Sequence, residues 1–330
     1  MAINEQTRTA VQYQQQVTPV HPTFSVVAPV FNEEETLPVF YTQITRVMEE
    51  VGEPFELVFV NDGSRDRSYQ VLRELHQQDK RVHVLDFSRN FGHQMAISAG
   101  LEYAHGEAVI IIDSDLQDPP QVIPRLIERW RNGAEVVYAQ RTTRKGETPV
   151  KLLTASLFYR VLALLTDVSI PRDTGDFRLL DRRVVRQLVS MREHHRFMRG
   201  LSAWVGFRQE AVLYERKERF AGSSHYSMRK MLRLSFDAIT SFSYVPLRLA
   251  SVIGGIVLLL GLLGLMGIAL FYLFTHSFGL LEMALAATTF LAGLQMLFLG
   301  LIGEYLGRMY DELRGRPLYI VRETLFPDVD

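Results

Sequence analysis

Ala108-Val-Ile-Ile-Ile-Asp-Ser-Asp-Leu-Gln-Asp-Pro-Pro120 is an apolar run that ends abruptly in an acidic turn. A short, nearly continuous hydrophobic run of this kind is expected of a strand covered on both faces. Its carboxyl end delivers Asp113 and Asp115, with Gln117 close behind. The same punctuation occurs upstream. Strands are expected at residues 24–30, 55–60 and 82–87, and another at 134–139. Helices are expected between them, at 34–50, 66–78, 93–104 and 119–131. Strands alternating with helices at this spacing predict an α/β fold, a doubly wound and mostly parallel sheet.

In such sheets the ligand sits beyond the carboxyl ends of the strands. The residues expected there are Asn32-Glu33, Asn61-Asp62-Gly63-Ser64, Arg89-Asn90 and Asp113-Ser114-Asp115. Asp113 and Asp115 at a strand end, with Gln117 as a further oxygen ligand, suit a hard cation, Mg²⁺ or Mn²⁺, that keeps positions open for phosphate oxygens. Such an ion neutralises charge on a diphosphate leaving group. Asn32 and Glu33 also suit a helix cap and a first-turn acid, and Asp62-Gly63-Ser64 suits a turn. The first strand is followed by neither a Walker lysine motif nor Gly-x-Gly-x-x-Gly, which disfavours a P-loop NTPase or a dinucleotide site.

The whole chain has 330 residues, a formal charge of −1 and no cysteine. Near-neutrality argues against a nucleic-acid partner. The absence of cysteine excludes disulfides and thiolate zinc sites. Residues 1–23 are polar, without the apolar core of a secretory signal, and are expected to be a disordered tail.

The apolar surplus lies late. Residues 249–275 carry no charge, and neither do residues 283–303. Each run reaches the roughly 20 residues that cross a bilayer, so residues 249–306 are expected to form a two-helix transmembrane hairpin. Arg229, Lys230, Arg233 and Arg248 precede it, Arg308, Arg314, Arg316 and Arg322 follow it, and the link has neither Lys nor Arg. The positive-inside rule then places both termini on the cytoplasmic side of the plasma or inner membrane, with 307–330 a cytoplasmic tail. Residues 226–248 mix apolar and basic positions as an interfacial amphipathic helix does. Gly254, Gly255, Gly261, Gly264 and Gly267 allow close helix packing, within one chain or in a homo-oligomer.

Pro29-Val-Phe-Asn-Glu-Glu34, Val60-Asn-Asp-Gly-Ser64, Arg89-Asn-Phe-Gly92, Asp113-Ser-Asp-Leu-Gln117 and Phe220-Ala-Gly-Ser-Ser-His-Tyr226 occur in that order ahead of the apolar tail. In this the chain resembles glycosyltransferase family 2, and more closely its polyisoprenyl-phosphate glycosyltransferases. The resemblance implies a GT-A domain over 24–225. It implies inverting transfer of a sugar from a nucleotide-sugar donor to a polyprenyl phosphate (undecaprenyl or dolichyl). It further implies that Ala28, Pro29, Asn32, Glu33, Asp62, Asn90, Asp113 and Ser114 line the nucleotide-sugar site and that Asp115 and Gln117 hold the metal. In Thr174-Gly-Asp-Phe-Arg178, Asp176 matches the family aspartate near the acceptor. It is the candidate base, although an acceptor phosphate with a second pKa near 6 is already mostly ionised at pH 7; orienting the acceptor is the other role open to it.

A diphosphate and a lipid phosphate meeting at one point call for cations. Arg141 and Arg219 are the expected clamps, with Ser224 and His225 in the same loop as Arg219. His225 departs from the family pattern, where Lys is common, and a neutral imidazole would make phosphate binding pH-sensitive. UDP-glucose is the expected donor. A processive polysaccharide synthase would require more spans and a Gln-x-x-Arg-Trp-type helix, neither of which the sequence has; an inactive membrane scaffold would not require Asp113, Asp115 and Gln117.

Overall fold

The computed structural model describes residues 21–142, 174–194, 196–215 and 280–326, with part of a helical stretch between 252 and 274. The expectations for residues 1–20, for Arg219, Ser224 and His225, and for the amphipathic helix lie outside the described residues.

The first half follows the expected alternation. β1 (Phe24–Val30), α1 (Leu37–Val51), β2 (Phe55–Asn61), α2 (Ser68–Gln78), β3 (Val82–Phe87), α3 (His93–Tyr103) and β4 (Ala108–Ile111) succeed one another. A 3₁₀ turn, Pro120–Val122, leads into α4 (Ile123–Arg131) and β5 (Val136–Arg141). Later come β6 (Thr174–Asp181), α5 (Arg182–Ser190), α6 (Met198–Trp204), β7 (Gln209–Tyr214), α7 (Leu280–Leu313) and β8 (Val321–Leu325). The sheet order is β7-β5-β6-β4-β1-β2-β3-β8. β1 to β4 are mutually parallel, β5 and β7 are parallel to each other, and β6 and β8 run antiparallel to their neighbours.

Alternating side chains along each strand feed two cores. Phe24, Val26, Leu57 and Phe59 pack with Phe40, Ile44 and Leu126 of the α1 and α4 layer. Val27, Val58, Val60 and Leu85 pack on the other face with Ile97 of α3 and Val184 and Leu188 of α5. A sheet buried on both faces in this way reads in sequence as unbroken apolar runs.

Three features differ from the sequence expectation. α1 begins at Leu37 rather than near residue 34, because Asn32 takes a left-handed φ of 57° and the chain turns before Pro38 permits a first helical turn. β6 is a central strand that the sequence does not announce, because buried Asp176 and Arg178 interrupt its apolar pattern; it separates β5 from β4. The stretch 307–330 is not simply a tail: residues up to Leu313 continue α7, and Val321–Leu325 returns to the sheet as an edge strand on β3. Its charged residues, Arg322 and Glu323, are typical of a guarded edge.

Among the described residues one helical stretch, Phe290–Leu313, is long and apolar enough to cross a membrane, with a mean hydropathy of 1.5 over its most apolar window and none of that window buried. Val252–Gly261 is a shorter apolar helix, so the first expected span is not established at full length. A Cβ added at Gly254 would lie 3.3 Å from the Phe298 ring, which puts the two apolar segments in contact.

The end of α7 is tied to the sheet domain. Glu312 accepts the His194 backbone N–H at 2.7 Å and faces its Nδ1 at 3.1 Å. Tyr319 stacks on Phe87 at 5.0 Å, and its hydroxyl donates to Glu102. Truncation after Ile320 strips the partner from β3 and leaves its edge groups open. The expected outcome is a loss of about 2 kcal/mol or more, seen as a fall of at least ~4 °C in the melting temperature of the solubilised protein; an unchanged melt would show that β8 is dispensable.

Candidate active site

The rim of the sheet at the carboxyl ends of β1–β4 is built by loops that hold one another. Asn32 donates its backbone N–H to Ser64 Oγ at 3.0 Å, and its side-chain oxygen accepts the Arg65 N–H at 2.8 Å. Glu33 N–H donates to Ser68 Oγ, and Thr36 Oγ1 donates to Glu33 Oε2 at 2.6 Å. Asn32 and Glu33 thus lace the β1 loop to the β2 loop, and the residue at the α1 N-cap is Thr36. Ala28 and Pro29 lie within β1 beside them.

Asp62 is buried, and its carboxylate accepts the Phe91 N–H at 2.6 Å and the Gly92 N–H at 3.0 Å. It shapes the loop that carries exposed Arg89 and Asn90. Gly63, at φ 63°, lets that loop pass over it: a Cβ there would stand 2.4 Å from the Arg89 carbonyl carbon. Ser114 is buried, and its hydroxyl donates to the Pro29 carbonyl at 2.9 Å, tying the β4 loop to β1.

In the β4 loop, Asp115 Oδ1 accepts the Gln117 N–H at 3.1 Å. Between them Leu116, a buried non-glycine residue, holds a left-handed φ of 61°. Strain of this kind persists where surrounding packing imposes it and concentrates at functional loops. Burial pushes the Asp113 carboxyl up to about 6; His93 pulls the other way, and Asp176, Asp118 and Asp115 add to the rise. Its Oδ1 is buried and makes no hydrogen bond.

Asp176 has the opposite surroundings. It is buried on β6, with Arg199 Nε 3.3 Å from Oδ1. His93 Nε2 lies 3.2 Å from Oδ2, and Gln94 Nε2 donates to the same oxygen at 3.1 Å. Burial alone would raise its pKa, but Arg199, His93 and Arg178 hold it well below the usual carboxylate range. Arg178 is itself buried, bonded to Ser202 Oγ and to the Asp176 and Gly175 carbonyls. His93 also lies 3.6 Å from Asp113 Oδ1 and so links the two aspartates.

Arg141 ends β5 at the same rim. Its Nε donates to Tyr214 Oη at 3.3 Å, Tyr214 donates to Asp118, and a Cβ on Gly175 would lie 3.1 Å from the Arg141 guanidinium. The structure therefore brings Asp113, Asp176 and Arg141 into one neighbourhood. It also adds residues that the sequence reading passed over: His93, Gln94, Arg178 and Arg199. The first two had a signal, since they follow Arg89-Asn-Phe-Gly92 directly at the start of a helix. Arg178 closes the Thr174–Arg178 motif, but Arg199 had none, because nothing local marks an arginine that will meet a distant aspartate.

A divalent cation fits this rim. Asp113 offers an unbonded buried carboxylate oxygen among crowded acids, and Asp115 and Gln117 are oxygen-bearing residues of the same turn, a donor set suited to a hard ion.

Residues 25–189 match Glycosyl transferase family 2. The chain is 50% identical over 306 residues to the uncharacterized glycosyltransferase YkcC of Bacillus subtilis (strain 168), covering 92% of this chain and 94% of that one. It is 40% identical over 301 residues to the prophage bactoprenol glucosyl transferase homolog of Escherichia coli (strain K12), covering 91% and 98%. Among solved structures, glucosyl-3-phosphoglycerate synthase from Mycobacterium tuberculosis, in complex with Mn²⁺, UDP-glucose and phosphoglyceric acid, aligns over 66% of this chain and 78% of that one, with 21% identity and a TM-score of 0.43. A mixed, mostly parallel GT-A-like sheet with an acidic rim, matched by a family model and by relatives along nine-tenths of the chain, makes this protein a glycosyltransferase belonging to family 2.

Proposed function

We propose that this chain transfers a sugar, with inversion, from a nucleoside diphosphate-sugar to a polyprenyl phosphate at the cytoplasmic face of a membrane, and that it does so with Mg²⁺ or Mn²⁺. The observation that carries the reading is the pairing at one rim of two buried aspartates with opposite surroundings: Asp113, which burial and neighbouring acids push up to about 6, and Asp176, held as an anion beside Arg199 and His93. The acceptor class is supported by the relatives named bactoprenol glucosyl transferase and by an apolar helix whose outward face has nothing over it. The same relatives' names support a glucosyl group, and UDP-glucose is the proposed donor.

The divisions of labour follow from charge. Asp113, Asp115 and Gln117 would hold the ion, which when bound neutralises charge on the departing diphosphate. The β1 and β2 loops and Asn90 would line the nucleotide, with Asp62 acting through the loop it shapes. Arg141 would face phosphate oxygens. Asp176, held as an anion, is a weak base, and the acceptor phosphate needs none. Its proposed role is to fix Arg199 and His93 side by side, so that the incoming phosphate meets two ordered cations. Arg219, Ser224 and His225 remain proposed phosphate contacts. Two spans, the amphipathic helix and cytoplasmic termini are the proposed membrane arrangement, which keeps the rim within reach of a headgroup-level phosphate.

The decisive assay gives the solubilised full-length protein undecaprenyl phosphate and a panel of labelled nucleotide-sugars, with and without chelator. Label is expected in the lipid-extractable fraction, from UDP-glucose and not from GDP- or CMP-sugars, and is lost on chelation. Polymer would indicate a synthase, and no product would indicate a scaffold. Asp115→Ala is expected to abolish transfer while the melting temperature stays within a few degrees of the parent; normal turnover would remove the metal role.

A second pair of variants separates the roles of Asp176. If it positions Arg199, then Asp176→Asn and Arg199→Ala both raise the KM for polyprenyl phosphate, by about tenfold or more for a lost charged contact of ~1.4 kcal/mol. Arg199→Lys restores part of it, because charge survives without the guanidinium fork. Collapse of kcat in Asp176→Asn alone, with KM unmoved, would return the residue to the role of base.

A further inference from the structure

Far from the catalytic rim, a glutamate and two histidines converge. Glu56 is the second residue of β2, and Asp62 follows that strand's last residue. The six intervening steps amount to roughly 20 Å of extended chain, so the two places lie on opposite edges of the sheet. Ser25, Glu56 and His83 share one sheet face, since Ser25 pairs with Glu56 and Val58 with His83 in register. His105, just past α3, closes the group from above.

Glu56 Oε1 is filled: it accepts the Ser25 hydroxyl at 2.5 Å and the His105 backbone N–H at 2.5 Å. Oε2 faces His83 Nδ1 at 3.1 Å and His105 Nδ1 at 3.2 Å. The three ligand atoms lie within 4.8 Å of one another, the one such cluster of His, Asp or Glu among the described residues. His83 is only 8% exposed, yet its Nδ1 is off-line for a hydrogen bond to the carboxylate beside it. Ligand atoms around a tetrahedral zinc, each ~2.0–2.1 Å from the ion, stand about 3.3–3.4 Å apart, and the two oxygen–nitrogen spacings here, 3.1 and 3.2 Å, are close to that.

The geometry points to a zinc-class metal site formed by Glu56, His83 and His105, with water as the fourth ligand, distinct from the metal of the catalytic rim. Two imidazoles and a carboxylate select Zn²⁺ over Mg²⁺. His105, with its side chain 56% exposed, leaves a way in. The ion would join β2, β3 and the α3–β4 turn at one point. Phe326, beyond β8, packs its ring 4.7 Å from that of His83, so the returning C-terminal strand covers the site.

The test uses the solubilised full-length chain carrying Asp115→Ala, which removes the rim ion, stripped with chelator and then given Zn²⁺ in excess Mg²⁺. Elemental analysis after gel filtration should find close to one zinc per chain, with a raised melting temperature. Adding the surface substitution His105→Ala should weaken retention by about tenfold or more, and so should Glu56→Gln. Retention of the same zinc in both variants, or none in the parent, overturns the site and leaves a hydrogen-bonded staple. A blue Co²⁺ spectrum in the parent, absent in His105→Ala, would support it independently of any change in stability. None of these readouts involves sugar transfer, so failure here leaves the proposed activity untouched.

Discussion

Negative charge crowded at one edge of the sheet is the constraint around which this molecule is arranged. Asp113, Asp115, Asp118 and Asp176 all bear on one another there. Like charges within a few ångströms cannot all remain ionised without partners, and the fold apportions those partners unequally. Asp176 receives Arg199, His93 and Gln94, with Arg178 behind it. Asp118 is engaged by Tyr214, which also meets Arg141. Asp113 has His93 3.6 Å from its Oδ1, and that oxygen, like Asp118 Oδ2 and Asp176 Oδ1, is buried without a hydrogen bond. Carboxylates whose surroundings drive their pKa values apart take different roles. Here the difference leaves Asp113 raised by burial and its acidic neighbours and Asp176 held as an anion among Arg199, His93 and Arg178.

That apportioning depends on backbone placed to tight tolerance. Asp62 holds the Arg89–Gly92 turn by its carboxylate, and only a glycine at 63 lets that turn close over β2. Leu116 accepts a left-handed backbone so that Asp115 can cap the Gln117 N–H while its own side chain remains in the core. Ser114 ties the same loop to Pro29. Several residues expected to contact ligand thus also hold the frame of the loops around them.

The parallel half of the fold was legible because burial on both faces leaves an unmistakable mark, as in Phe55-Glu-Leu-Val-Phe-Val60 and Ala108-Val-Ile-Ile-Ile112. The rim was legible for a related reason: polar residues placed directly after such runs must emerge at one edge. β6 was not, because it carries the buried charges Asp176 and Arg178, whose partners come from α3 and α6. Charges that are satisfied only by tertiary contacts look, in a linear sequence, like surface. β8 escaped for the reverse reason. Val-Arg-Glu-Thr-Leu is short and charged as an edge strand must be, and so resembles a solvated tail. Arg141 was legible because it ends a strand, whereas His93 and Arg199 were missed because their significance is pairwise.

The path of the C-terminal segment bears on how a water-soluble rim could work on a membrane-bound acceptor. α7 is 34 residues long, about 51 Å at 1.5 Å per residue, against a hydrocarbon core of ~30 Å. In the proposed setting roughly 20 Å of helix must stand outside the apolar layer. The polar end is where Glu304 pairs with Arg308 and Glu312 meets His194. From there Tyr319 stacks on Phe87, the Ile320 carbonyl accepts the Ser88 N–H, and β8 joins β3. β3 is the strand whose carboxyl end carries Arg89 and Asn90. The helix that would fix depth in the bilayer is thus hydrogen-bonded, through a few residues of chain, to the strand that carries the Arg89–Asn90 loop of the rim. A flexible tether would only raise the local concentration of acceptor. A strand paired into the sheet also sets the orientation, which is what an in-line attack by a phosphate held at the membrane surface demands.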